Sequence, residues 1–103
     1  AGPVSLLILD VSGNRFGPEG VGELAGAVSH NISLRRLDLS DNEAGHIGAS
    51  RLAVALADNS SLVRLDLRNN SLGAEGAASL AEALKRNSTL TSLDVAMNAV
   101  GDA

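Results

Sequence analysis

Four aspartates recur at one spacing of 28 residues: Asp10, Asp38, Asp66 and Asp94. Carboxylates about 5 Å apart repel, a juxtaposition that raises a pKa or attracts a cation. Arg36 and Arg64 each stand two positions before one of these acids, and Arg68 two positions after Asp66. A guanidinium grips a carboxylate bidentately and recurs at the centres of protein interfaces. A second column, Asn14, Asn42, Asn70 and Asn98, keeps the same spacing. An amide both donates and accepts, so it can satisfy backbone groups of both kinds where a strand ends. His30 and His46 have no neighbouring serine–acid or thiol arrangement in sequence. The chain has no cysteine, which excludes disulfides, thiolate catalysis and cysteine-held zinc. No catalytic residue, metal ligand or cofactor is expected.

The elements that place these columns follow from the repeat itself. Residues 33–60 and 61–88 share 16 of 28 identities, far above chance. Ser33-Leu34-Arg35-Arg36-Leu37-Asp38-Leu39 overlays Ser61-Leu62-Val63-Arg64-Leu65-Asp66-Leu67. The units are 5–32, 33–60 and 61–88, with a partial fourth over 89–103. In the first half of each unit, leucines alternate with polar residues, the period of a strand with one buried face. In the second half, apolar residues fall at helical spacing, most clearly Ala77, Leu80, Ala81 and Leu84. Helices are expected near 18–29, 47–58 and 74–86. Pro18 suits a first helical turn, and Lys85 and Arg86 a helix's negative end. Asn31, Asn59 and Asn87 close the helices and suit a left-handed C-terminal position.

Neither half of a unit buries its apolar face alone, so copies must stack. Strand, helix and strand in succession make the strands parallel with right-handed crossovers. The fold class is α/β: a right-handed solenoid with parallel strands on the concave face and helices on the convex face. Small helix residues (Ala25, Ala27, Ala53, Ala55, Ala81, Ala83) allow close helix packing. Outward positions then form rows on the concave face. Ile8, Arg36, Arg64 and Ser92 make one row; Ser12, Ser40, Arg68 and Ala96 make the next; Gly13, Asp41, Asn69 and Met97 lie at its edge.

The pattern L-x-x-L-x-L-x-x-N-x-(L/F/V)-G, followed by G-x-x-x-L-A-x-A-L, resembles leucine-rich repeats of the ribonuclease-inhibitor class. Leu62 to Gly73 and Gly76 to Leu84 carry it best. Ala44 departs from it, since the pattern wants a large apolar residue there, and His46-Ile47 are candidates to fill the gap. The resemblance implies a fold whose aspartate column is common to the family, with neighbouring arginines relieving its repulsion. It also implies a non-catalytic module that binds a protein partner on the concave face. The candidate set is Arg36, Arg64, Arg68, Asp38, Asp66, Asp94, Ser40 and Ser92, with Asn14, Asn42, Asn70 and Asn98 structural. A scaffold segment contacting neighbours through its helices or open ends is the alternative, and a piece of an NLR-type sensor or GTPase regulator a third. Open strand edges at both ends are expected to continue into a longer array or to pair end to end with other copies.

A net charge of −4 argues against nucleic acid, and no apolar run approaches a membrane span. No small-molecule substrate is expected. Asn31-Ile32-Ser33, Asn59-Ser60-Ser61 and Asn87-Ser88-Thr89 have the form of glycosylation acceptors, at the spacing of the repeat. Secreted arrays of the resembling kind close their ends with disulfide caps, so a cysteine-free chain is expected in the cytoplasm.

Overall fold

A computed structural model describes residues 8–98. Leu6 and Leu7, and residues 99–103 of the partial fourth unit, lie outside the described residues. Four short strands alternate with three helices: β1 (Ile8–Asp10), α1 (Gly17–His30), β2 (Arg36–Asp38), α2 (Gly45–Asp58), β3 (Arg64–Asp66), α3 (Gly73–Leu84) and β4 (Ser92–Asp94). The strands form one parallel sheet in the order β1-β2-β3-β4. Its register is the repeat: Leu9 pairs with Leu37, Leu37 with Leu65, and Leu65 with Leu93.

Strand alternation directs leucines inward from both sides of each aspartate. Leu37, Leu39, Leu65 and Leu67 are buried, together with Leu34 and Leu62 just before the strands. The helices close over them with Val21, Ala25 and Val28 from α1, Leu52, Ala53 and Leu56 from α2, and Leu80 and Ala83 from α3. Gly76 sets the separation of α2 and α3, because a Cβ there would lie 3.0 Å from Leu72 Cβ and 3.2 Å from Ala49 Cβ. Between strand and helix the backbone turns through left-handed residues, with Gly45 at φ +65° and Gly73 at φ +66°. Glycine adopts that conformation without the Cβ penalty. Their N–H groups donate to Asn70 O and Asn98 O at 2.8 and 3.2 Å, so the inter-repeat ladder continues through the loop.

Several local expectations are corrected. Asn31 and Asn59 are extended, with φ −84°, ψ 131° and φ −90°, ψ 132°, rather than left-handed. Asn87 is likewise absent from the residues of positive φ. The side chains of Asn59 and Asn87 reach the neighbouring repeat instead, as shown below. The third helix ends at Leu84, and the N–H groups of Lys85 and Arg86 turn back to Glu82 O and Ala83 O in a tightened last turn. The buried stripe of α3 is Gly76, Leu80 and Ala83, whereas Ala81 is exposed and Leu84 is 36% exposed. The equivalent Ala53 and Leu56 of α2 are buried. Among the described helices α2 is flanked on both sides and α3 on one, and that decides the difference. Ala27 is also exposed. Ile47 is 48% exposed and the His46 side chain points outward beside Glu75, so neither fills in for Ala44. Ala44 is itself buried, its Cβ packed near the helix backbone at Gly48.

Candidate interaction face

The outward strand positions stand in the rows expected of them. Arg36 is the register neighbour of Arg64, and Arg64 of Ser92; Asp38 pairs with Asp66, and Asp66 with Asp94. Ile8, Arg36, Arg64 and Ser92 are all exposed. Among the described residues, neither Arg36 nor Arg64 is in an ion pair. The arginine row therefore lies open, with the two arginine backbones side by side at the strand spacing of about 4.8 Å.

The aspartates have work inside the fold. Each carboxylate accepts the backbone N–H two residues on: Ser12 to Asp10, Ser40 to Asp38, Arg68 to Asp66 and Ala96 to Asp94, each at 3.0 Å. This Asx-type bond turns the chain out of the strand. The same bond, reinforced by the Ser12 side chain and by the positive field of Arg36, holds the Asp10 carboxyl below the usual carboxylate range. Asp66 also lies 3.8 Å from Arg68 Nε, the one ion pair on this face among the described residues. Ser40 is only 6% exposed and its hydroxyl donates to Asp38 at 2.7 Å, so it offers a partner little surface. Of the candidate residues, Arg36, Arg64, Arg68 and Ser92 are exposed, whereas Asp38, Asp66 and Asp94 are half-buried.

At the edge of the face, Asp41, Asn69 and Met97 all take left-handed backbone, and Asn69 Nδ2 donates to Asp41. Met97 is 79% exposed. Arg15 and Glu43 pair across the next position of the loops at 3.8 Å. On the opposite side of the molecule, open depressions of about 280 and 250 Å³ lie between neighbouring helices around Val54. Among the described residues, no group of three or more His, Asp or Glu side chains is placed to hold a metal ion.

Two ladders of asparagine hold the face rigid. In the first, Asn70 Oδ1 accepts from Asn42 N and Ala44 N, both at 3.1 Å. Its Nδ2 donates to Leu39 O at 2.9 Å and Leu67 O at 3.1 Å. Asn42 and Asn98 repeat the arrangement one unit away. The second ladder, Asn31, Asn59 and Asn87, is the feature that sequence reasoning assigned to another task. Asn59 Nδ2 donates to Val28 O at 2.9 Å and Asn31 O at 3.1 Å, while its Oδ1 accepts from Ser61 N and Leu62 N. Asn87 does the same toward Leu56 O and Asn59 O. One ladder ties the strand ends together and the other ties the strand starts. Their shared 28-residue spacing was the signal that could have revealed the second.

The family model described as "Leucine Rich repeat" matches residues 3–25, 30–53, 58–81 and 86–103. The chain belongs to the leucine-rich repeat family. No curated protein sequence matches it. Among solved structures, it is similar to one described as "Leiomodin-1 Actin-Binding Site 2 (ABS2)", with a TM-score of 0.84 and 22% identity. The match covers 92% of this chain and 57% of that one, and at this identity it speaks to the leucine-rich repeat fold alone. Among the described residues, no helix is long and apolar enough to cross a membrane.

Proposed function

We propose that this array is a non-catalytic protein-interaction module, built of ribonuclease-inhibitor-class repeats and working in the cytoplasm, that binds its partner on the strand face. The observation that carries the reading is the open arginine row. Arg36 and Arg64 are exposed, in register, and free of ion pairs among the described residues, while the acids beside them are engaged with backbone N–H groups. Two exposed arginines in register on neighbouring strands match a partner segment carrying carboxylates. Ser92 and Arg68 flank that pair, and Ile8 and Met97 supply apolar contact at its margins.

The test is capture of partners from lysate with the wild-type chain and with an Arg36→Glu/Arg64→Glu variant, both checked for fold by circular dichroism. Loss of a captured protein from the folded variant supports the strand face as the binding surface. A protein retained equally by both moves the contact to the helices or loops and rejects the proposal.

A further inference from the structure

Three of the four Asn-x-Ser/Thr triplets, those at Asn31, Asn59 and Asn87, coincide with the second asparagine ladder, whereas the fourth, Asn69-Asn70-Ser71, begins at an exposed residue of a loop. Asn59 is 4% exposed, and both hydrogens of its side-chain amide are committed, one to Val28 O and one to Asn31 O. The hydroxyl of the same triplet, on Ser61, is buried, with its one hydrogen within donating distance of Leu34 O at 3.0 Å and Asn31 O at 3.2 Å. Asn87 repeats the double donation to Leu56 O and Asn59 O at 2.7 and 2.9 Å. The amide nitrogen and the hydroxyl of the Asn59 acceptor are therefore spent on joining one repeat to the previous one, and its amide oxygen on the turn into the next strand.

We propose that N-glycosylation at Asn59 and closure of the array are mutually exclusive, so that the chain folds only where oligosaccharide transfer does not reach that residue. Transfer from a lipid-linked oligosaccharyl diphosphate forms a bond from the amide nitrogen to the anomeric carbon. It breaks that carbon's bond to the diphosphate oxygen, which departs with the lipid, and it releases one amide proton. The product nitrogen keeps a single hydrogen, where the ladder needs two. A sugar also has no room at a residue enclosed between the ends of two helices and the starts of two strands. Conversely, the folded array withholds both the amide and the hydroxyl from any transferase. The Asn59 triplet thus acts as an acceptor on the unfolded chain alone, and glycosylation there is a folding block.

The 103-residue chain made by chemical synthesis, with a single N-acetylglucosamine on the Asn59 nitrogen, tests this directly. A chain carrying the same sugar on Asn69, which is exposed, is the control. The expected result is loss of the cooperative thermal melt and of protease resistance for the Asn59 glycoform, with both retained by the Asn69 glycoform. A cooperative melt of the Asn59 glycoform at the unmodified midpoint overturns the proposal. Equal loss in both glycoforms overturns it too, because burial of Asn59 is then not the cause. In cells, an Ile32→Pro/Ser60→Pro/Ser88→Pro variant removes the three ladder acceptors while keeping the asparagines, and leaves the exposed Asn69-Asn70-Ser71 triplet as it is. Asn31 and Asn59 already hold the extended backbone that a residue before proline adopts. Behind a secretory signal, this variant is expected to emerge protease-resistant, and the wild-type chain bearing a glycan at Asn59 protease-sensitive. Resistance of that glycoform counts against the exclusion.

Discussion

Truncating Asn70 to alanine tests whether the asparagine ladder, rather than leucine packing alone, holds the repeats in register. The side chain is fully buried and serves two repeats. The carbonyls it contacts have other donors: Leu39 O also receives Asn42 Nδ2 at 3.0 Å, and Leu67 O receives Asn98 Nδ2 at 2.7 Å. The N–H groups of Asn42 and Ala44 have only Asn70 Oδ1 as acceptor. Each buried donor left unmatched costs about 1–3 kcal/mol, so Asn70→Ala is expected to lose about 2–6 kcal/mol. That is a large share of the roughly 5–15 kcal/mol that a domain of this size has in total. Asn14→Ala provides the contrast. Asn14 is exposed, with its amide on Val11 O, and its removal is expected to cost under about 1 kcal/mol because water replaces the lost bond. Urea denaturation followed by circular dichroism measures both, and hydrogen exchange at Asn42 and Ala44 locates the loss. Equal midpoints for the two variants, with both amides still protected, would refute the reasoning. It would mean that the leucine core sets the register without help.

Leu67→Ala removes a fully buried side chain and is expected to cost about 2–5 kcal/mol, visible as loss of the cooperative melt. A melt within a few degrees of wild type would contradict the inward placement of that column. Gly26→Ala and Gly76→Ala are expected to have opposite signs. A Cβ at Gly26 meets nothing within 4 Å, so alanine there should stabilise by about 0.4–1 kcal/mol, whereas at Gly76 it meets Leu72 Cβ and Ala49 Cβ and should destabilise. Both are read from the urea midpoint. Asp10 titrates below its ordinary value near 3.8, so its contribution to stability is complete above that value and disappears as pH falls through the lower, folded one. Carboxyl NMR titration should find Asp10 below the usual aspartate range, and a value at or above that range would show that the Ser12 bond does not form in solution.

Much of the architecture was legible because each residue is its own neighbour. In a stacked array the residue one repeat away is the cross-strand partner, so a self-overlay at 28 residues already predicts Leu37 beside Leu65 and Arg36 beside Arg64. The arginine row of the candidate face follows from the same overlay, and so does the burial of the strand leucines from their period of two. Other features depended on what the neighbouring repeat presents. Asn59 after a helix reads as a left-handed cap when considered with its own helix. Only stacking shows that Val28 O and Asn31 O of the preceding repeat draw its amide into an extended ladder. The aspartate column pointed outward as expected, but its bonds to the N–H groups two residues on turn half of the candidate charges into turn-forming groups. Leu56 and Leu84 occupy the same repeat position, yet one is buried and the other partly open, because coverage depends on the adjacent helix and not on the residue. Period, register and facing are one-dimensional properties and lie in the sequence. Which polar atoms are consumed between repeats, and which remain for a partner, is decided only when the repeats meet.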